Sequence, residues 1–129
     1  DLVERARQAR ALLGGGMRQA GVLAAAALVA LDQMVERLAE DHDNARRTAA
    51  TVAAAVPGSV DPATVETNMV LLAAAPFGTD GPGLVKRLAD LGVLAADIDP
   101  DQVRLVFHYE VTAEDADRAA RAIVAAAGA

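Results

Sequence analysis

The chain has 129 residues, no cysteine, 18 acidic and 12 basic side chains, and a formal net charge of −6. That length suits one globular domain with a real core, and the lack of cysteine excludes disulfides, thiolate chemistry and cysteine zinc sites. The acidic balance lacks the clustered positive charge of a nucleic-acid footprint, and a hydrophobic fraction of 53% excludes disorder. Thirty-two alanines, the best helix formers, favour a helix-rich domain, and only Phe77, Phe107 and Tyr109 are aromatic. The longest apolar run, Ala20 to Leu31, is twelve residues, short of the roughly twenty that span a membrane.

In chain order, residues 1–12 read as a charged helix, ended by Gly14-Gly15-Gly16. A second helix is expected from near Met17 to about Leu31. It is apolar all round from Ala20 and is therefore expected to be buried on most sides. A third helix, about Met34 to Ala55, places Val35, Leu38, Ala39, Ala45, Ala49, Val52 and Ala53 at helical spacing, with His42 on the same stripe. Pro57-Gly58 closes this helical half. Val65–Ala73 reads as a buried strand, Phe77–Gly83 as a loop, and Leu84, Val85, Leu88 and Leu91 as a short helix stopped by Gly92. Val93–Ile98 and Val103–Tyr109 read as two strands, joined into an antiparallel hairpin by Asp99-Pro100-Asp101. Thr112 and Asp115 start the last helix in the manner of a capping box, with Val111 and Ala116 as its hydrophobic staple. The expected core face of that helix is Ala116, Ala119, Ala120, Ile123, Val124 and Ala127. The order predicts an α+β domain in which helices are followed by a small, mostly antiparallel sheet with helices on one face.

Few residues can carry chemistry. Gly14-Gly15-Gly16-Met17-Arg18-Gln19 has two readings. It is either an anion site built of bare amides, a helix N-terminus and the Arg18 guanidinium, or a breaker between two helices with Arg18 in solvent. Arg104, among β-formers, is either a bidentate carboxylate ligand or a solvent-facing arginine. On a regular strand Val103, Leu105, Phe107 and Tyr109 share one face, and Arg104, Val106 and His108 the other. Arg104 and His108 would then lie about 13 Å apart at ~3.3 Å per residue and would not grip one small carboxylate together. His42 reads as a partly buried structural histidine, Asn68 as a group that bonds neighbouring backbone or a turn, and Lys86, the only lysine, as solvated. No triad, carboxylate pair or third metal ligand can be picked out.

The run Leu13-Gly14-Gly15-Gly16-Met17-Arg18-Gln19-Ala20-Gly21-Val22-Leu23-Ala24-Ala25-Ala26 resembles the low-specificity L-threonine aldolases of the β-eliminating lyase group. The likeness continues through Glu40-Asp41-His42-Asp43-Asn44-Ala45 and Glu66-Thr67-Asn68-Met69-Val70. It ends at Val103-Arg104-Leu105-Val106 with His108, and Val111-Thr112. It implies a C-terminal fragment of a fold-type I pyridoxal 5'-phosphate enzyme that cleaves L-threonine or related β-hydroxy-α-amino acids to glycine and an aldehyde. Residues 1–33 are then the end of the large domain and 34–129 the small domain, with the aldimine lysine expected upstream. No catalytic residue is assigned within the chain, and the fragment alone is expected to be inactive. By the same resemblance Arg104 binds the substrate carboxylate and Arg18 serves the cofactor-phosphate region across a subunit boundary. The implied protein is a cytoplasmic homo-oligomer that contacts the large domain and takes an amino-acid substrate, with no nucleic acid, membrane or metal. Ala11 stands where many members have lysine, Phe107 where they have threonine, and Tyr109-Glu110 where they have Leu-Asp. These departures leave two alternatives open: another pyridoxal-phosphate lyase of the family, or a non-enzymatic ligand-binding or oligomerisation module.

Overall fold

A computed structural model describes residues 1–128 and divides the chain into two compact units, one of Asp1–Val35 and one beginning at Glu36. In the first, α1 (Leu2–Leu12) is capped by Asp1, whose carboxylate accepts from the Val3 amide at 3.1 Å. Its end is a Schellman turn. Gly14, at φ 73°, donates to the Ala11 carbonyl at 3.2 Å, and Gly15 donates to that of Arg10 at 2.8 Å. A Cβ on Gly15 would lie 2.8 Å from Arg10 Cγ and 3.2 Å from its carbonyl oxygen, so this turn needs both glycines.

Helix α2 (Gly21–Gln33) starts four residues later than expected. Residues 17–20 contain no Ser, Thr, Asp or Asn to cap an earlier start. The expectation that this helix is buried is also corrected: none of its residues is, and Val22, Leu23, Leu28, Val29 and Leu31 are 51–79% exposed. A helix that is apolar on every face needs cover on every face, and this unit contains only one other helix, α1.

The second unit holds the core. Helix α3 (Leu38–Ala55) begins after a turn at residues 34–37. After Gly58 (φ 83°) and a short 3₁₀ turn at Pro62–Thr64 comes β1 (Met69–Ala73). A second 3₁₀ turn (Ala75–Phe77) leads to α4 (Gly81–Asp90), whose N-cap Asp80 accepts from the Gly83 amide at 2.9 Å. Strands β2 (Ala96–Asp99) and β3 (Gln102–Val106) form the expected hairpin, and α5 (Ala113–Ala126) closes the fold with the full Thr112–Asp115 capping box.

The sheet is antiparallel with order β1-β3-β2 and sets Leu71 and Ala96 either side of Arg104. Val70, Leu72, Val103 and Leu105 alternate inward and pack with Ala45, Ala49 and Val52 of α3, Leu84 and Leu88 of α4, and Ala116 and Ile123 of α5. All three helices therefore cover one face, and Met69, Leu71, Arg104 and Val106 line an exposed one. The three strands are shorter than their sequence-based bounds, and β1, expected to be a buried strand, is buried on one face only because α3, α4 and α5 do not cover Met69 and Leu71. The inward alternation on β3 runs through Phe107 but not to Tyr109, which is 63% exposed because the chain has left the strand by then. On α5, Ala126 is buried and Ala127 is not, one position off the expected stripe.

Candidate functional site

Arg104 sits at mid-strand on the uncovered face of the sheet. Among the described residues it makes no ion pair, whereas Arg37, Arg46, Arg47 and Arg118 each hold a carboxylate. It lines a shallow depression of about 290 Å³ with Leu94, Ala95, Ala96, Val106 and His108. His108 shares this sheet face with Arg104, as the sequence-based face assignment has it, and the two open onto one depression despite their separation along the strand. The pairing with β1 continues through Phe107, and the backbone turns only from His108 on, with the Val111 amide donating to the His108 carbonyl at 2.8 Å. A neighbouring depression of about 260 Å³ shares Leu94, Val106 and His108 and adds Asp115 and Arg118.

The turn that carries His108 is braced from both ends. Asn68, just before β1, donates its side-chain amide to the Phe107 carbonyl at 2.6 Å, and the Phe107 amide donates back to the Asn68 carbonyl at 2.9 Å. The sequence-based reading of Asn68 as a backbone-bonding residue agrees. Asn44, buried in α3, donates to the Val111 carbonyl at 3.2 Å. Arg37 lies 5.9 Å from the Tyr109 ring centroid, within cation–π range. Asp41, 3% exposed, holds Arg37 bidentately at 2.7 and 3.2 Å. That hydrogen bond, against some desolvation, raises the Arg37 pKa. Asn44 and Asp41 escaped the sequence reading. The signal was present, since polar residues at positions 41, 44 and 48 fall on the same helical stripe as Ala45, Ala49 and Val52.

Arg18 belongs to the first unit, in the exposed turn ahead of α2. The amides of Gly14 and Gly15 are engaged in capping α1, and the first turn of α2 lies beyond Arg18. Two of the three glycine amides are thus used in ending α1, and Arg18 is an exposed guanidinium. Lys86 is 80% exposed and paired with Asp90 at 3.0 Å, as a solvated lysine should be. His42 is half-buried on α3. Among the described residues no group of three metal-ligating side chains forms, and no helix is long and apolar enough to cross a membrane.

The pattern of the beta-eliminating lyase family matches residues 1–75. Low-specificity L-threonine aldolase 1 of Arabidopsis thaliana is 37% identical over 120 residues, covering 89% of this chain and 32% of that protein. The low specificity L-threonine aldolase of Escherichia coli O157:H7 is 37% identical over 114 residues, covering 88% and 32%. Aldolase vrtJ of Penicillium aethiopicum is 38% identical over 112 residues, covering 85% and 27%. The chain thus spans about a third of the length of the curated relatives it matches. The family pattern takes in the triple-glycine turn and the elements through β1 and ends before Arg104, and with more than half of the chain inside it, this chain belongs to the beta-eliminating lyase family.

Proposed function

We propose that this chain supplies the substrate-carboxylate side of a threonine-aldolase-like carbon–carbon lyase that cleaves L-threonine or a related β-hydroxy-α-amino acid to glycine and an aldehyde. The observation that carries the reading is Arg104: an arginine with no ion pair among the described residues, on the uncovered sheet face, in a depression whose other walls are mostly apolar. A guanidinium in that setting offers a fork of donors matched to a carboxylate. Holding the carboxylate fixes the rotation of the substrate about its Cα, which sets the bond to be cleaved in one direction, and this positioning is the protein's share of the catalysis.

The family implies pyridoxal 5'-phosphate, which serves when bound as the electron sink for such cleavage. The residues present fit that group only in part. Arg18, an exposed arginine beside a glycine turn, suits its phosphate. The sole amine side chain, Lys86, is solvated and engaged by Asp90 and does not suit its carbonyl carbon. On this reading the 129 residues alone are inactive. The same reading takes the protein for a cytoplasmic homo-oligomer in which Arg18 serves a site across a subunit boundary and the first unit belongs with a large domain.

The test is kinetic, on the polypeptide as its gene encodes it, supplied with pyridoxal phosphate and threonine. Arg104→Ala is expected to raise KM by about 10- to 150-fold, the worth of a hydrogen bond to a charged group. An unchanged KM would sink the carboxylate role. A second reading, a ligand-binding module, draws support from the self-contained core of the second unit. It predicts carboxylate binding without glycine release in the same assay.

A further inference from the structure

We propose that His108 is a second ligand-binding residue of the Arg104 depression, its Nε2–H donating to the carboxylate that Arg104 grips, and that Asn68 is the residue that positions it. This rests on the carboxylate reading of Arg104 and goes beyond it by naming a second donor and its support.

Three observations carry the proposal. The first is the make-up of the depression. Its polar side chains are Arg104 and His108, and the rest are Leu94, Ala95, Ala96 and Val106. Two groups that can donate, no carboxylate in the lining and short aliphatic walls describe a site for a small anion with an aliphatic body. An ionised carboxylate has about four lone-pair positions, so an arginine fork leaves acceptor capacity for another donor.

The second is which ring nitrogen the turn engages. The Glu110 amide donates to His108 Nδ1 at 3.4 Å. A neutral imidazole that accepts at Nδ1 carries its proton on Nε2. The Glu110 carboxylate also lies on the Nδ1 side, 3.9 Å away, so the neighbouring groups of the turn sit at Nδ1 and Nε2 is the ring nitrogen that can face a ligand.

The third is the bracing of an otherwise exposed segment. His108 is followed by no regular element until α5, yet its flanks are pinned at Phe107 by the paired bonds with Asn68 and at Val111 by Asn44. Phe107 itself is 3% exposed and anchored in the core. The reciprocal Asn68–Phe107 bonds fix the backbone immediately before His108, so the imidazole is held at the rim of the depression before a ligand arrives. Such preorganisation removes part of the entropic cost of binding.

The experiment uses the polypeptide as its gene encodes it, with kcat and KM measured for threonine. His108→Leu removes the donor and is expected to raise KM about tenfold, with kcat within twofold. His108→Gln keeps a side-chain N–H and is expected to return KM to within threefold of the parent. Asn68→Ala is expected to raise KM by a smaller factor, and to add nothing on top of His108→Leu, which separates positioning from a general loss of structure. An unchanged KM in His108→Leu, or a His108→Gln variant no better than the leucine one, overturns the proposal. If Arg104→Ala also leaves KM unchanged, the carboxylate reading has failed and this inference falls with it. If only the Arg104 variant is impaired, the reading stands and this inference alone is lost. For the 129-residue chain itself, formate is titrated while the ¹⁵N and ¹H resonances of His108 Nε2 and Arg104 Nε are followed. Both moving with one dissociation constant supports the shared site, and movement of Arg104 alone overturns it.

Discussion

Helices α2 and α5 are of nearly equal length, 13 and 14 residues, and both are rich in alanine, yet α5 buries four residues and α2 none. The more apolar helix is the exposed one. On α5 the apolar residues gather on one stripe, Ala116, Ala120, Ile123 and Ala126, and the charged residues occupy the other faces. That stripe meets α3, α4 and the sheet in one contiguous core. On α2 the apolar residues are spread around the helix, and no single neighbour could cover them. Their capping differs in the same sense: α5 opens with a complete capping box, whereas α2 begins behind Ala20 with no side-chain cap. Burial follows from where the apolar side chains sit relative to a partner, rather than from how many there are.

The comparison is broken or upheld most sharply by truncating one large side chain in each helix. Ile123→Ala, at a site with no exposure, is expected to cost about 2–5 kcal/mol through lost transfer energy and the cavity left behind. Leu28→Ala, at a site 67% exposed, is expected to stay within about 0.5 kcal/mol. Urea denaturation of both variants decides it, and equal losses would mean that α2 is buried in solution.

Next in size is a gain. Thr48 is 1% exposed on α3, and its hydroxyl is buried without a partner. Thr48→Val keeps the shape and deletes the unsatisfied group. It is expected to stabilise the second unit by about 1 kcal/mol, which thermal melting would register as a Tm rise of about 4–8 °C. A fall in Tm would mean that the hydroxyl has a partner in solution.

An effect of similar size and opposite sign concerns the α5 cap. Thr112→Ala is expected to cost about 1 kcal/mol. Asp115 accepts from the Thr112 hydroxyl at 2.7 Å and from its amide at 3.2 Å, and Arg118 donates to its other oxygen at 2.7 Å. The Thr112 hydrogen bonds, then the Arg118 charge, hold its pKa below the usual carboxylate range. A lowered folded pKa means that this stabilisation is full above the unfolded carboxylate pKa and fades as pH falls through the folded one. Denaturation midpoints taken from pH 7 to pH 3 should therefore drop less in Asp115→Asn than in the parent chain. An identical acid limb in the two proteins would remove Asp115 from the account.

What was legible in the sequence was local. The Thr112–Asp115 box, the Asp99-Pro100-Asp101 hairpin turn and the helix stop at Gly92 each depend on residues within a few positions of one another, and each is present. The functional residues were legible in kind but not in arrangement. Arg104 stood out by chemistry and resemblance as a candidate carboxylate ligand, but the depression it lines with His108, Leu94 and Ala96 exists only once β2 is laid beside β3. The bond from Asn44 to the Val111 carbonyl spans 67 residues and that from Asn68 to Phe107 spans 39. No local pattern encodes such pairings.

The sequence by itself determined the α+β order of elements, the caps and turns that bound several of them, the shared face of Val103, Leu105 and Phe107 on β3, and the family resemblance. All of these are carried by propensity, periodicity and short-range hydrogen bonding, which act between near neighbours in the chain. Only the tertiary structure decided that α2 stays exposed, that polar Asp41, Asn44 and Thr48 go inside, and that the face carrying Arg104 and His108 is left uncovered by α3, α4 and α5. Those outcomes depend on which distant surfaces meet, and burial and buried hydrogen bonding have no value for a residue until its partner in space is given.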